Sequence, residues 1–169
     1  METPDDSKLL ELPALAVLPE WIDYNGHMNV AFYVLAFDRG VDAFMSSLGI
    51  TPSYVKEQQS STFTLEIHVN YLHELRLADP LRLSCQLLDF DSKRVHYFLR
   101  MHHAESGYLA AVSEQISTTT GSLSATKFRL SKNMGRFLKD PQPLPKNNRR
   151  WGKIIKQKHY FCTFQSIWE

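Results

Sequence analysis

Two cysteines in 169 residues leave no room for a disulfide framework. Cys85 sits in an apolar, strand-like run where a buried free thiol is expected, and Cys162 lies near the end. Neither has disulfide-type or metal-type spacing. Long apolar runs are also missing: none approaches the roughly 18 residues that span a bilayer. Met1 to Lys8 is acidic and polar, without the pattern of a secretory leader. A reducing, cytoplasmic setting is therefore expected, with neither a membrane nor a nucleic acid as partner. Internal repeats are absent, and the formal net charge is only +1. That near-neutrality hides an asymmetry. Residues 1–130 carry 10 Lys and Arg against 16 Asp and Glu, whereas residues 131–169 carry 9 against 2. An acidic body, taken as a single domain over 1–130, is followed by a basic tail over 131–169. The tail also holds Trp151, Ile154, Tyr160, Phe161, Phe164 and Trp168.

What the chain does have is one dense polar stretch, Asp23-Tyr24-Asn25-Gly26-His27-Met28-Asn29. It is preceded by the apolar run Leu15 to Ile22 and followed by a helical pattern. Asp, Asn and Gly before a helix are ordinary turn and N-cap chemistry. They also place a carboxylate, two amides and an imidazole beside unpaired N–H groups at the positive end of a helix dipole, where an oxyanion is stabilised.

The pattern around this stretch predicts an α+β domain. Residues 9–22 read as a first strand. Val30, Tyr33, Val34, Phe37, Val41, Phe44, Met45 and Leu48 recur at steps of three and four, which predicts a helix over 30–48 stopped by Gly49 and Pro52. The period then falls to two. Strands are expected around Phe63–Tyr71, Leu81–Leu87, Val95–His102 and Tyr108–Thr120, with another over Ala125–Leu130, separated by turn residues. One long helix and a strand meander imply a curved antiparallel sheet wrapped around that helix.

The motif Asp-x-Asn-Gly-His-Met-Asn at the start of the lone helix resembles that of the hotdog-fold thioesterases. Tyr71 to Pro80 resembles the family's Tyr-Leu…Asp-Pro strand ending, and Asp91-Ser92-Lys93-Arg94 its Asp-x-Lys-Arg turn. Trp21 to Asn29 with Lys93-Arg94-Val95-His96 is similar to bacterial thioesterases of carnitine and betaine breakdown, some of which act on betainyl-CoA. Val30 stands where the family commonly has a second Asn.

The resemblance implies roles. Asp23 matches the catalytic acid, as general base or nucleophile at the thioester carbonyl. Gly26 and His27 match positions whose N–H groups form the oxyanion hole. Asn25 and His27 match polar neighbours of the acid, and Asn29 a residue that organises the turn. Relatives that carry the carboxylate on the helix or second strand make Glu66 the alternative acid. Lys93 and Arg94 are the candidates for CoA phosphates. No cofactor and no metal are implied: His68, His73, His96, His102 and His103 lie on different strands without a ligand pattern. Self-association as a homodimer or homotetramer is implied, because a single sheet on one helix leaves long edges.

Three readings remain at this stage. The first is an acyl-CoA thioesterase for a short or polar acyl group, with betainyl-CoA as one candidate; there is no Gly-x-Ser-x-Gly elbow to suggest a serine hydrolase. The second is a hotdog dehydratase or hydratase of acyl thioesters using Asp38 or Asp42. The third is a non-catalytic acyl-CoA-binding module.

Overall fold

The computed structural model describes residues 9–91 and 93–120. The expected strand over 125–130, the basic tail and Cys162 lie outside them. The described chain runs β1 (Leu10–Glu11), β2 (Leu15–Ala16), α1 (Val30–Ser47), α2 (Pro52–Gln58), β3 (Ser61–Tyr71), β4 (Pro80–Phe90), β5 (Arg94–His103) and β6 (Leu109–Thr120). The sheet is antiparallel, in the order β1-β4-β5-β6-β3, with β2 also on β4.

The first expected strand is corrected. Residues 9–22 make two two-residue strands and a 3-10 turn at Pro19–Trp21. Pro19 lacks an N–H and has a fixed φ, which suits the first position of that turn better than a ladder. The helix matches its expected span closely. Asn29 caps it, its side chain accepting the Ala31 N–H, and Gly49 follows the C-cap Leu48 at φ +87°. Pro52 does more than end α1: with Thr51 as cap it opens α2.

The core lies between α1 and one face of β4, β5 and β6. Tyr33, Ala36, Phe37, Gly40, Val41, Phe44 and Met45 are the buried residues of α1, facing Leu81, Leu83, Cys85, Leu87, Tyr97, Leu99 and Met101. Gly40 permits the close approach: a Cβ there would stand 3.1 Å from a Leu12 methyl and 3.3 Å from one of Leu99. Val30 and Val34, expected in the apolar stripe, are 59% and 37% exposed. They lie on the side of α1 turned toward the β3 edge, where Leu65, Ile67 and Tyr71 are also exposed.

The reverse face of the sheet is not the solvated face that simple alternation suggests. His96, Phe98 and Arg100 are buried there, and Glu114 is fully so. Each of the three polar residues has at least one partner there, which offsets part of the cost of burial. His96 Nε2 lies 2.8 Å from Glu114, Arg100 donates to Gln86 at 2.9 Å, and its guanidinium lies 4.9 Å from the Phe98 ring centroid.

Candidate active site

The polar stretch is a closed turn held at both ends. Ile22 and Met28 form a bridge pair. Asp23 N–H donates to His27 O at 2.9 Å, and Gly26 N–H to Asp23 O at 3.0 Å. Gly26 has φ +79° with open space around it, so the backbone conformation, not crowding, calls for glycine. Below the turn, Trp21 is buried and stacked on Phe32 with centroids 5.8 Å apart, and the Arg39 guanidinium lies 5.1 Å from the Trp21 ring. Two bonds fasten the turn to its surroundings: Asn29 N–H to Trp21 O at 2.9 Å and Met28 N–H to Leu75 O at 2.8 Å.

Within the turn the Asp23 carboxylate is partly buried, and Oδ1 is occupied. It accepts from Asn25 N–H at 2.8 Å and His27 N–H at 3.4 Å. No described group bonds Oδ2, which leaves that oxygen to address a ligand. The N–H groups expected as oxyanion donors also serve the turn itself. The Gly26 and His27 N–H groups are both engaged inside the turn. An unengaged N–H lies three residues beyond His27, at the first position of the helix. Asn29 Oδ1 takes the Ala31 N–H and Asn29 O takes that of Phe32. Val30, at the first helical position, has no intrahelical acceptor for its N–H and is 59% exposed.

The segment after β3 closes the other side. His27 Nε2 lies 3.1 Å from Glu74 Oε2, and Arg76 donates to Glu74 Oε1 at 2.8 Å. Tyr33, buried under α1's first turn, meets Tyr71 edge-on at 5.2 Å and donates to His73 O at 3.4 Å. Burial pushes the Tyr33 hydroxyl up to about 12, so it stays protonated at neutral pH.

Asp23, Asn25, Gly26, His27 and Asn29 are thus brought together. Other expected residues are not. Glu66 is one step out of phase with Ile67, which pairs with Gln115 and, through it, with the core-facing Tyr97. Glu66 therefore projects from the reverse face, in the row of Ile116 and His96, away from Asp23. Lys93 and Arg94 sit at the β4–β5 hairpin. Asp91 Oδ1 accepts both their N–H groups at 2.8 Å, and Arg94 Nε donates to Asp91 Oδ2 at 2.8 Å. The Asp23 turn packs at the start of β4, so about 33 Å of strand separates it from that hairpin in one chain. Asp38 is exposed on α1, about 12 Å along the axis from Val30. Partial desolvation, then the neighbouring Asp42, raises its carboxyl.

Glu74, Arg76 and Tyr71 are the site neighbours that the sequence did not single out. The resemblance of Tyr71–Pro80 marked the segment, but nothing in the spacing told which of its residues meets a turn 47 positions earlier. Among the described residues no three His, Cys, Asp or Glu side chains cluster as metal ligands, and no helix is long and apolar enough to cross a membrane.

A curved antiparallel sheet wrapped on one helix, with a carboxylate-bearing turn at that helix's start, is the hotdog arrangement of thioester enzymes. The chain belongs to the thioesterase-like superfamily, whose model matches residues 17–152. It is 40% identical over 110 residues to a betainyl-CoA thioesterase of Pseudomonas aeruginosa, covering 65% of this chain and 69% of that one. It is 39% identical over 112 residues to an L-carnitine dehydrogenase/betainyl-CoA thioesterase of Rhizobium meliloti, covering 66% of this chain but only 22% of that longer protein. Among solved structures, a hypothetical protein of Staphylococcus aureus in complex with CoA matches at TM-score 0.71 and 28% identity, over 81% of this chain and 88% of that one.

Proposed function

We propose that this protein hydrolyses a short, polar acyl-CoA to the free acid and CoA, with Asp23 as the general base. Thioester hydrolysis of an acyl-CoA follows from the family and from the relatives just described. The residues and the acyl group are this reading's own. The observation that carries it is a partly buried carboxylate with one oxygen tied into the turn and the other open, beside the start of α1.

In this mechanism Asp23 Oδ2 takes a proton from water as the oxygen attacks the thioester carbonyl. The oxyanion is met by the Val30 N–H and the positive end of the α1 dipole. Collapse expels the CoA thiolate, which recovers the proton from Asp23. Asn29 holds the helix start and Asn25 the turn. Glu66 has no part in this reaction, because it projects from the other face of the sheet.

Betainyl-CoA is the acyl-CoA we infer, on the 40% identity to the Pseudomonas aeruginosa enzyme. A desolvated trimethylammonium needs aromatic faces or a carboxylate. Trp21 offers no free face, since Phe32 and Arg39 already pack on it. Tyr24, 97% exposed, is no closed wall within one chain. Tyr33 and Tyr71 are the aromatic groups in the right corner.

We also infer a homodimer, or a tetramer built from it, joined along the β3 edge. Phe63, Leu65, Ile67 and Tyr71 there are 62%, 47%, 42% and 48% exposed, a long apolar edge of the kind that pairs. Two-fold pairing runs the two β3 strands antiparallel. The partner's β4–β5 hairpin then lies toward this chain's Asp23 end, which brings its Lys93 and Arg94 toward bound CoA.

The test is thiol release from betainyl-CoA and from its neutral isostere, 3,3-dimethylbutyryl-CoA. A cation–aromatic contact of about 2 kcal/mol gives roughly thirtyfold in kcat/KM. Equal rates would remove the cationic acyl group from the account. No release from either, or from any member of an acyl-CoA panel, would remove the reading itself.

A further inference from the structure

Between β3 and β4 the chain runs Leu72-His73-Glu74-Leu75-Arg76, and its backbone is fastened on both sides of Glu74. Leu75 O accepts from Met28 N–H at 2.8 Å, Glu74 O from the Tyr108 hydroxyl at 3.2 Å, and Asp79 Oδ2 from Arg76 N–H at 2.8 Å. The Glu74 side chain is aimed at the Asp23 turn. Oε2 lies 3.1 Å from His27 Nε2, and Oε1 accepts from Arg76 at 2.8 Å. His27 in turn grips Asp23 through its backbone, accepting the Asp23 N–H at 2.9 Å and donating to Asp23 Oδ1 at 3.4 Å. An unbroken chain of contacts therefore runs from Arg76 through Glu74 and His27 to the carboxylate.

The His27–Glu74 contact is too open to matter much for folding. The two side chains are 37% and 52% exposed, and pairs this open to water add little to stability. Its consequence is geometric. The Arg76 hydrogen bond holds the Glu74 carboxyl below the usual carboxylate range, against a smaller opposing effect of desolvation. An ionised carboxylate only accepts, so the His27 ring must carry its hydrogen on Nε2.

We propose that Glu74 is a positioning residue of this active site: by holding the His27 ring it fixes the turn that aims the Asp23 carboxylate at the thioester carbonyl. The proposal rests on Asp23 being the base. Arg76 keeps Glu74 in place and touches no substrate.

The experiment compares the full-length protein with its Glu74→Ala, Glu74→Gln and Asp23→Asn variants. It measures thiol release from betainyl-CoA, thermal unfolding, and long-range proton–nitrogen spectra of the imidazoles. Glu74→Ala is expected to lower kcat about tenfold to a hundredfold, the scale of a misaimed reacting group, with KM little changed. Tm should move by no more than about 2–4 °C, and the His27 ring should lose its single Nε2–H form. Glu74→Gln keeps an accepting oxygen and is expected to restore kcat to within about threefold and the Nε2–H form with it. Unchanged kcat in Glu74→Ala, with Asp23→Asn inactive, would overturn this proposal alone. So would a loss that follows Tm and is not rescued by glutamine. Full turnover in Asp23→Asn would overturn the base assignment, and this proposal with it.

Discussion

Asn29→Asp separates the stability of α1 from its catalytic use. Asn29 caps the helix through a 3.0 Å bond from Ala31 N–H. Aspartate retains that acceptor, and its charge at the helix's positive end adds about 0.3–1 kcal/mol of stability. The same charge stands beside the site where the account puts the oxyanion. Two unit charges about 6 Å apart at an effective dielectric near 20 repel by roughly 3 kcal/mol. That is about a hundredfold in rate. Asn29→Asp should therefore unfold at equal or higher urea concentration than the unchanged protein while its kcat for thiol release falls by about two orders of magnitude. Asn29→Ala, which loses the cap without adding charge, should be less stable by about 1 kcal/mol and much less impaired in kcat than Asn29→Asp. If Asn29→Asp keeps full kcat, no anion develops at the start of α1 and the reasoning fails.

Gly40→Val should cost about 1–3 kcal/mol in urea unfolding, because even a Cβ meets Leu12, Leu99 and Leu83 at 3.1 to 3.4 Å; unchanged stability would mean that α1 does not sit this close to the sheet. Ile67→Glu on the β3 edge should shift light scattering from dimer to monomer and abolish turnover; an active dimer would place the interface elsewhere. The Asp91 carboxyl loses some solvation but is held below its ordinary 3.8 by the N–H groups of Lys93 and Arg94 and the Arg94 side chain. Its folded pKa is depressed, so the stability it adds is present above 3.8 and is lost as pH falls through the lower folded value. The stability gap between the unchanged protein and Asp91→Asn should therefore be constant at neutral pH and close in strong acid; a gap that persists there would mean that the hairpin does not hold the ionised form.

The helix and the four long strands were legible because their periods are imposed by burial against one another. Phe37, Phe44 and Met45 recur at helical spacing because they face the sheet, and Leu81, Leu83, Cys85 and Leu87 alternate because they face α1. The first segment misled because an apolar run of eight reads equally as strand or turn when Pro19 is in it. β5 was legible only in part: polarity in a strand normally marks water, yet His96 and Arg100 are buried. Here Glu114 and Gln86, from neighbouring strands, make their burial tolerable. The Asp23 turn was legible since its residues are contiguous. Which donors remain available was not, because the bonds from Gly26 and His27 back to Asp23 depend on turn geometry. Glu74 was illegible for the commonest reason: its partner is brought to it only by the fold.

The most direct test of the account is the turnover of Asp23→Asn on betainyl-CoA. An asparagine oxygen still accepts the N–H groups of Asn25 and His27, so the turn and the thermal unfolding temperature should be preserved. What is lost is the proton acceptor, and kcat should fall by at least about a hundredfold. A folded Asp23→Asn protein that turns over within a few-fold of the unchanged one would contradict it.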